Sequence, residues 1–259
     1  MQVQELTCFG VRAGEGNRAL VVQGGARDAQ ARQAFARAQD VSACVFIDAE
    51  DAPGAAFALD YYYPHMRSPL CLHATLAAAQ VLFERQGSAA PIAFRTALRG
   101  QTLTLSCEGD FRFVTLGRQA VDATRVPAPA RIAELLAAPG LVLASAPALA
   151  SVGSVKLLVE VADSATLQAL RPDLARILAW GRENGVNGCY VYCRLGERVY
   201  EGRNFNHLDA ALEDRATGVA AGALTALLGH ALTLYQGGRQ CLIRTRLDGE
   251  RILVGGRVE

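Results

Sequence analysis

The chain has 259 residues, of which 51% are hydrophobic and 20% are charged. This balance excludes an extended disordered protein, and the length fits one large domain or two modest lobes. Lysine plus arginine (26) nearly equals aspartate plus glutamate (25), for a formal net charge of +1. Since no basic excess is available to neutralise a phosphate backbone, we expect no nucleic-acid partner.

The start of the chain shows neither a basic leader followed by an apolar stretch nor a run near the ~20 apolar residues of a membrane span. Its seven cysteines are irregularly spaced, which predicts a reduced chain without a disulfide framework. We therefore expect a cytoplasmic protein with no membrane partner, no metal and no cofactor. Four of the cysteines lie in apolar, strand-like runs and are expected to be buried: Cys8, Cys44, Cys189 and Cys193.

Segments of the first half of the chain recur in the same order in the second half. An Ala/Arg-rich helical stretch at 28–39 precedes the apolar strand Val41–Ile47, and a helical stretch at 173–183 precedes Val186–Tyr192. Aromatic strands then run into Tyr63–Met66 and Phe205–Leu208. Ordered matches of this kind predict an internal duplication.

Each aromatic strand is followed by a helix of small residues, Ala74–Phe83 in one half and Ala216–Leu228 in the other. Because these helices are apolar nearly all round, we expect them to be buried. A strand–glycine turn–strand pattern follows each helix, at Phe94–Leu105 and at Ile243–Val254. These two hairpins complete the predicted repeat.

The pattern predicts an α+β fold with two pseudo-symmetric lobes, 1–118 and 119–259, in which the last strand packs back on the first lobe. Each lobe is expected to be a barrel-like mixed sheet wrapped around its central helix, because the order of elements is not a strict βαβ alternation. The proline-containing stretch 118–140 is expected to connect the lobes, with a helix at 130–137.

The starts of the two central helices are the candidate sites, because a helix N-terminus offers unpaired N–H groups and a positive dipole end. We expect the two starts to face each other across the cleft between the lobes, which suits removal and return of a proton. The alternative is that these residues only cap or pack their helices. The polar residues at the two starts are Arg67, Cys71, His73 and Thr75, and Glu213, Asp214, Arg215, Thr217 and Gly218.

Three stretches resemble the phenazine-biosynthesis isomerase (PhzF-like) family, which has the diaminopimelate-epimerase fold. Phe9–Val22, with Gly16-Asn17, is similar to the family's opening F…GNPAAVV. Pro69–Ala79 (PLCLHATLAAA) is similar to PLCGHATLAAA, and Glu213–Gly222 (EDRATGVAAG) is similar to EDPATGSAAG. The resemblance covers essentially the whole chain.

The resemblance implies a cofactor-independent isomerase, often a homodimer, that moves protons at a carbon next to a carboxylate or amine. His73 matches the histidine of the CGHAT motif, and Asp214 matches the aspartate of EDPATGS. Cys71 and Thr217 stand where epimerase relatives place their two catalytic cysteines. By this resemblance we expect a small carboxylate substrate.

The chain departs from the family pattern at five positions. The family's catalytic glutamate lies in N-L-S-E-T-T-F-V, and the corresponding segment here, Asp40–Ile47, has Ala43 in its place. Alanine cannot carry a proton, so another group must take over or catalysis is lost. The other departures are Arg67, Leu72, Arg215 and Val219.

These residues support two hypotheses. The first is an isomerase with His73, Asp214 and Cys71 as catalytic groups, Cys71 replacing the lost base and the N–H groups of 217–219 holding a carboxylate. An epimerase with a second base opposite Cys71 is a weaker variant, because the sequence offers only Thr217 there. The second hypothesis is a non-catalytic relative that binds a metabolite or a partner protein. The residues assigned to substrate binding are Asn17, Ser42, Arg67, Arg215, Thr217 and Gly218.

Overall fold

The computed structural model describes residues 1–52, 54–205 and 213–259. It divides into two compact units, one formed by Met1–Thr115 with Gly255–Glu259 and the other by Leu116–Val254. Residues 206–208 of the predicted aromatic match lie outside the described residues. In the described ranges, no helix is long and apolar enough to cross a membrane.

The first unit carries eight strands and two α-helices among its described residues. The predicted stretch 28–39 forms helix α1, and the small-residue helix forms α2, which is longer at both ends than the predicted Ala74–Phe83. In chain order the elements are β1 (Gln2–Cys8), β2 (Asn17–Gln23), α1 (Ala29–Arg37), β3 (Ala43–Ala52), β4 (Ala55–Tyr62), β5 (Arg67–Ser68), α2 (Leu72–Gln86), β6 (Ile92–Thr96), β7 (Thr102–Glu108) and β8 (Phe111–Gly117).

The strands of this unit form a mixed sheet in the order β1-β2-β3-β4-β6-β7-β8, with β5 pairing β4. The pairs β2·β3 and β4·β6 are parallel, each joined by a helix-containing crossover, whereas the remaining pairs are antiparallel. The chain's last residues return to β1, where Thr7 N–H donates to the Glu259 carbonyl and Phe9 N–H to the Arg257 carbonyl.

The second unit begins with a short 3-10 helix at Ala123–Arg125 and helix α3, where the sequence predicts a helix at 130–137. Helix α5 lies where 173–183 predicts one. In chain order its elements are α3 (Pro129–Leu135), β9 (Ala148–Ser151), β10 (Val155–Glu160), α4 (Ser164–Ala169), α5 (Leu174–Asn184), β11 (Cys189–Gly196), β12 (Val199–Phe205), α6 (Gly218–Leu228), β13 (Thr233–Gln236), β14 (Cys241–Asp248) and β15 (Arg251–Arg257).

The strands of the second unit repeat the topology of those in the first. Their order is β9-β10-β11-β12-β13-β14-β15, with β10·β11 and β12·β13 parallel. The duplication is therefore confirmed, but one of its sequence matches is wrong. Phe94–Leu105 contains β6 and β7, whereas Ile243–Val254 contains β14 and β15, which follow one strand later in the repeat. Glycine turns between alternating residues look alike in successive hairpins, so sequence similarity alone misaligned them.

Each central helix is buried against the sheet of its own unit. Helix α2 packs against β1, β2, β3 and β4, and α6 packs against β9, β10 and β14. Both helices end at a left-handed glycine, Gly87 (φ 66°) and Gly229 (φ 71°), a conformation that costs glycine little. Alanine and glycine on these helices let the strands approach closely. The predicted α+β fold of two lobes built around central helices is confirmed.

The core contains the cysteines expected there. Cys8, Cys44, Cys189 and Cys193 are all buried. Trp180 lies in the core cluster of the second unit with Leu157 and Phe205. These side chains therefore contribute apolar packing.

Candidate functional site

The start of α2 brings together three of the predicted site residues. Cys71 is the N-cap of the helix and His73 follows within its first turn. The Cys71 sulfur lies 3.4 Å from His73 Nδ1, and His73 Nε2 lies 3.1 Å from Ser42 Oγ at the start of β3. Only 2% of Cys71 and 9% of His73 is exposed to solvent. The start of β3 and the first turn of α2 thus hold a hydroxyl, an imidazole and a thiol in one chain of contacts.

The hydrogen bonds of Ser42 fix the tautomer of His73. Ser42 Oγ donates its single proton to the Arg18 carbonyl at 2.6 Å. It can then only accept from His73 Nε2, which must carry a hydrogen. With Nε2 protonated, His73 Nδ1 is the ring nitrogen able to accept the Cys71 proton; it lies 3.4 Å from the sulfur, and Nε2 lies 3.7 Å from it. This arrangement lets the thiol proton move onto the imidazole, leaving a thiolate beside an imidazolium.

The surroundings of Cys71 favour its thiolate. Burial acts to raise the pKa of this thiol, but the nearby His73 charge and hydrogen bond, the Ala74 N–H and the Tyr63 hydroxyl outweigh it, so that the pKa is lowered. The helix N-terminus provides the Ala74 N–H. Burial instead raises the pKa of Cys44 and Cys193 to about 11. The pKa of Cys71 therefore differs in direction from those of Cys44 and Cys193, whose thiols stay neutral.

Two sets of hydrogen bonds in this unit were not predicted from the sequence. Cys8 Sγ donates to the His73 carbonyl at 3.1 Å, which anchors the first turn of α2 to β1. Thr75 Oγ1 lies 2.8 Å from both the Cys71 carbonyl and the Tyr61 hydroxyl. Only the apolar setting of Cys8 marked it in the sequence, and nothing in the sequence linked these residues to His73.

Arg67 is held within the first unit by a carboxylate. Its Nε donates to Asp60 Oδ1 at 2.8 Å, and Asp60 also pairs with the buried Arg32. About a third of the Arg67 side chain, 31%, is exposed. Asn17, buried at the first residue of β2, pairs in register with Cys8.

The start of α6 in the second unit organises Asp214. Thr217 is the N-cap of this helix and donates its hydroxyl to Asp214 Oδ2 at 2.6 Å. Gln236, buried in β13, donates to the Asp214 carbonyl at 2.7 Å and accepts the Thr217 N–H at 3.2 Å. The Thr217 N–H is therefore occupied, and the N–H groups left to face a ligand are those of Gly218 and Val219. Gln236 was missed because no motif marks it.

A cavity of about 410 Å³ opens beside Asp214 in the second unit. Arg203 in its wall is neutralised by a two-pronged ion pair with Glu213, at 2.9 and 2.7 Å. Arg171 and Arg215 bond to the Leu170 carbonyl and to Gln240, and neither has a carboxylate partner among the described residues. The full lining is Gln168, Arg171, Arg203, Glu213, Asp214, Arg215, Gly237 and Gly238.

The cavity is suited to an anion, because Arg171 and Arg215 in its wall have no carboxylate partner in the part of the chain that the structure describes. Arg215 was predicted from the sequence as a carboxylate ligand, and the structure places it here. Arg171 was missed, since it lies between α4 and α5, far from any motif. Its position follows from two hydrogen bonds to carbonyls at the end of α4, those of Gln168 at 2.6 Å and Leu170 at 2.8 Å.

Comparison with known proteins agrees with the motifs at the two helix starts. The family model for phenazine biosynthesis-like proteins (PhzC-PhzF) matches residues 6–252. An uncharacterized isomerase of Deinococcus radiodurans is 32% identical over 240 residues, which cover 86% of this chain and 75% of the relative.

Solved structures share the fold across the full length of the chain. A PhzF-family protein of Enterococcus faecalis superposes with a TM-score of 0.77 at 20% identity, covering 99% of this chain and 95% of that one. A hydroxyproline epimerase of Agrobacterium vitis superposes with a TM-score of 0.63 at 13% identity, covering 100% and 90%. By its family model and its relatives, the chain belongs to the phenazine biosynthesis-like (PhzC-PhzF) protein family, whose relatives include proteins named isomerases.

Proposed function

We propose that the protein is an acid–base isomerase that needs no cofactor and moves a proton at a carbon next to a carboxylate in a small metabolite. The observation that carries this proposal is the Ser42–His73–Cys71 chain at the start of α2. It provides a base at the site where the family glutamate is replaced by Ala43. Because its pKa is lowered, Cys71 is a stronger candidate base than the other cysteines in the described part of the chain.

In the proposed reaction, the Cys71 thiolate accepts a proton from the substrate carbon. The C–H electron pair stays on the substrate as an enolate, conjugated with the adjacent carboxylate. Return of the proton from the Cys71 thiol to a different carbon shifts the double bond and regenerates the thiolate. Throughout, the His73 imidazolium stabilises the thiolate, and Ser42 holds the imidazole in place. A single base at one position suits a double-bond shift better than a two-base racemisation.

The cavity beside Asp214 supports an anionic substrate. Arg171 and Arg215, which lack a carboxylate partner within the described ranges, would bind a carboxylate, and the first N–H groups of α6 add to the positive potential. Asp214, whose carboxylate accepts from the Thr217 hydroxyl, is assigned to hydrogen-bond the substrate while Cys71 moves the proton. Thr217 itself is used as a donor to Asp214, which speaks against the epimerase variant in which it serves as a base.

Solvent hydrogen exchange tests the proposal. The protein is incubated in D₂O with amino acids, dihydroaromatic acids and unsaturated dicarboxylates, and loss of C–H signals is followed by NMR. We expect exchange into one compound, abolished by Cys71→Ser and by Asp214→Asn. The exposed substitution Arg176→Ala, on the outside of α5, is the matched control and should leave exchange unchanged. Exchange that survives both site substitutions would overturn the assignment of residues.

The replacement of the family glutamate favours a second candidate, a relative that binds a metabolite without turning it over. Ala43 is buried at the start of β3 and offers no acid–base group. Calorimetric binding of one compound of the same panel, with no exchange and with full binding by Asp214→Asn, would support this candidate. Loss of both binding and exchange in Asp214→Asn would favour the isomerase.

A further inference from the structure

Glu201 is a buried carboxylate of the second unit that takes no part in the proposed proton transfer. It lies in β12, and only 2% of it is exposed. Its oxygens accept from Gln168 Nε2 at 2.8 Å, from Ser164 Oγ at 2.8 Å, and from Arg239 Nε and Nη2 at 3.0 and 2.8 Å. Burial acts to raise the pKa of this carboxyl, but the bonds from Arg239, Ser164 and Gln168 outweigh it and lower the pKa. An ionised Glu201 therefore joins α4 to the turn between β13 and β14.

One set of contacts leads from Glu201 to Arg171. Gln168 donates its side-chain amide to Glu201 and lines the cavity. Its backbone carbonyl accepts from Arg171 Nη1 at 2.6 Å, and Arg171 lines the cavity as well. Glu201 thus fixes, through one intervening residue, the end of α4 that holds the Arg171 guanidinium.

A second set of contacts leads from Glu201 to Arg215. Arg239 lies in the turn between β13 and β14, and its neighbour Gln240 accepts from Arg215 Nη2 at 2.7 Å. Gly237 of the same turn packs against the Arg215 backbone, because a Cβ added there would lie 2.9 Å from the Arg215 carbonyl oxygen. Gly237 and Arg215 both line the cavity. The ion pair between Arg239 and Glu201 therefore fixes the turn that holds Arg215.

The backbone of this turn indicates that the Arg239 side chain has a role. Gly237, Gly238 and Arg239 all have left-handed backbones, with φ of 61°, 66° and 67°. Glycine adopts this conformation at little cost, whereas a residue with a Cβ is strained in it. The two-nitrogen contact with Glu201, which glycine could not make, gives a physical reason for an arginine at the third position.

We propose that Glu201 and Arg239 are positioning residues that hold Arg171 and Arg215 at a fixed spacing, so that the cavity selects a substrate with two carboxylates. The inference rests on the proposed function, because that function places a carboxylate of the substrate in this cavity. Neither Arg171 nor Arg215 has a carboxylate partner in the described part of the chain, and one guanidinium suits one carboxylate. The third arginine of the lining is already neutralised by an ion pair with a glutamate.

Calorimetry on the full chain with succinate and propionate tests the proposal. Succinate carries two carboxylates and propionate one, so the wild type should bind succinate roughly 10- to 100-fold more tightly. Glu201→Gln should lose most of this preference, while its affinity for propionate should not fall. The substitution removes a negative charge, which by itself would strengthen the binding of any anion. Weaker succinate binding would therefore report lost positioning and not altered charge.

Two further variants separate positioning from folding. Arg239→Gly removes the ion pair but relieves the strained backbone, so it should keep the wild-type circular dichroism spectrum and lose the preference for succinate. Glu134→Gln is the matched control, because it breaks the exposed pair of Glu134 with Arg131 on α3 and should keep the preference.

Equal affinity of the wild type for succinate and propionate would overturn the proposal. A preference for succinate that survives in either Glu201→Gln or Arg239→Gly would also overturn it. If both variants lose the preference and no compound exchanges in D₂O, the isomerase proposal fails while the positioning role stands. Exchange confined to a compound with a single carboxylate would keep the isomerase and overturn the selection of two carboxylates.

Discussion

His73 Nδ1 lies 3.4 Å from the Cys71 sulfur at the first turn of α2, and the proposed function rests on this contact. The imidazole is oriented so that the nitrogen able to take up a proton faces the thiol. In the proposed function, a thiolate–imidazolium pair would supply the base that Ala43 cannot provide. The chemistry assigned to this protein therefore depends on whether Cys71 ionises near neutral pH.

Cys71 should ionise at a lower pH than the buried cysteines Cys44 and Cys193, whose pKa burial raises to about 11. Its pKa is lowered, so it stays ionised below the usual range of a cysteine. The thiolate's contribution to folding stability is then present above the unfolded-state pKa and lost as pH falls through the folded-state value. In an ultraviolet thiolate titration, Cys71→Ser should remove the low-pH step, and His73→Gln should shift it to higher pH. An unchanged titration in Cys71→Ser would contradict this assignment.

Removing the Ser42 hydroxyl should release the tautomer of His73. Ser42→Ala deletes the acceptor of the Nε2 hydrogen, so the imidazole can place its hydrogen on either nitrogen. We expect the ¹⁵N chemical shifts of His73 to report a mixture of tautomers and exchange activity to fall about tenfold, the size of one lost hydrogen bond of about 1.4 kcal/mol. Ser42→Thr, which keeps the hydroxyl, is the matched control. A single Nε2–H tautomer in Ser42→Ala would refute the argument.

Arg171→Ala and Arg215→Ala should each weaken binding of a dicarboxylate such as succinate. Each guanidinium lacks a carboxylate partner in the described part of the chain, and a charge-assisted hydrogen bond to an ion contributes about 1.5–3 kcal/mol. Calorimetry should show affinities reduced roughly 10- to 100-fold. Arg176→Ala, whose arginine pairs with Asp173 within one helical turn, serves as the control and should bind normally. Equal affinity in all three variants would exclude the cavity as the anion site.

Gln236 should be required for the conformation of the Asp214 segment. Its amide joins the Asp214 carbonyl and the Thr217 N–H, both inside the protein. Gln236→Leu leaves these groups without a partner, and we expect a loss of about 1–3 kcal/mol in the free energy of unfolding, measured in urea. Gln236→Glu keeps the oxygen that accepts the Thr217 N–H and should be less destabilising. Equal losses for the two variants would contradict this role.

Two valine side chains pack closely against α6 at Gly222. A Cβ added there would lie 2.6 Å from Val152 Cγ2 and 3.1 Å from Val254 Cγ2. Gly222→Ala should therefore lower the free energy of unfolding by about 1–3 kcal/mol despite the better helix propensity of alanine. Val152→Ala should recover part of this loss in the double variant, because it removes the nearest atoms. A Gly222→Ala variant more stable than the wild type would show that the two valine side chains can move aside at little cost.

Particular residues show which parts of the fold the sequence could predict. The alanine-rich runs after Cys71 and Thr217 predict buried helices directly, because no polar face is left for solvent. The glycine turns at Gly100 and Gly249 predict hairpins but not their place in the repeat. Both turns follow the same local rules, and only strand pairing shows that β7 corresponds to β14. The local sequence pattern therefore predicted the individual helices and hairpins. Which strands correspond between the two halves became clear only from the strand order in the sheet.

The same division holds for the site. The sequence alone identified Cys71, His73, Asp214 and Thr217, because their motifs at helix starts can be read in order along the chain. Tertiary structure supplied Ser42 as the acceptor that fixes the His73 tautomer and Gln236 as the hydrogen-bond partner of the Asp214 carbonyl. Hydrogen-bond partners and burial depend on which strands lie side by side, so residues far apart in sequence acquire a shared role only when the sheets form.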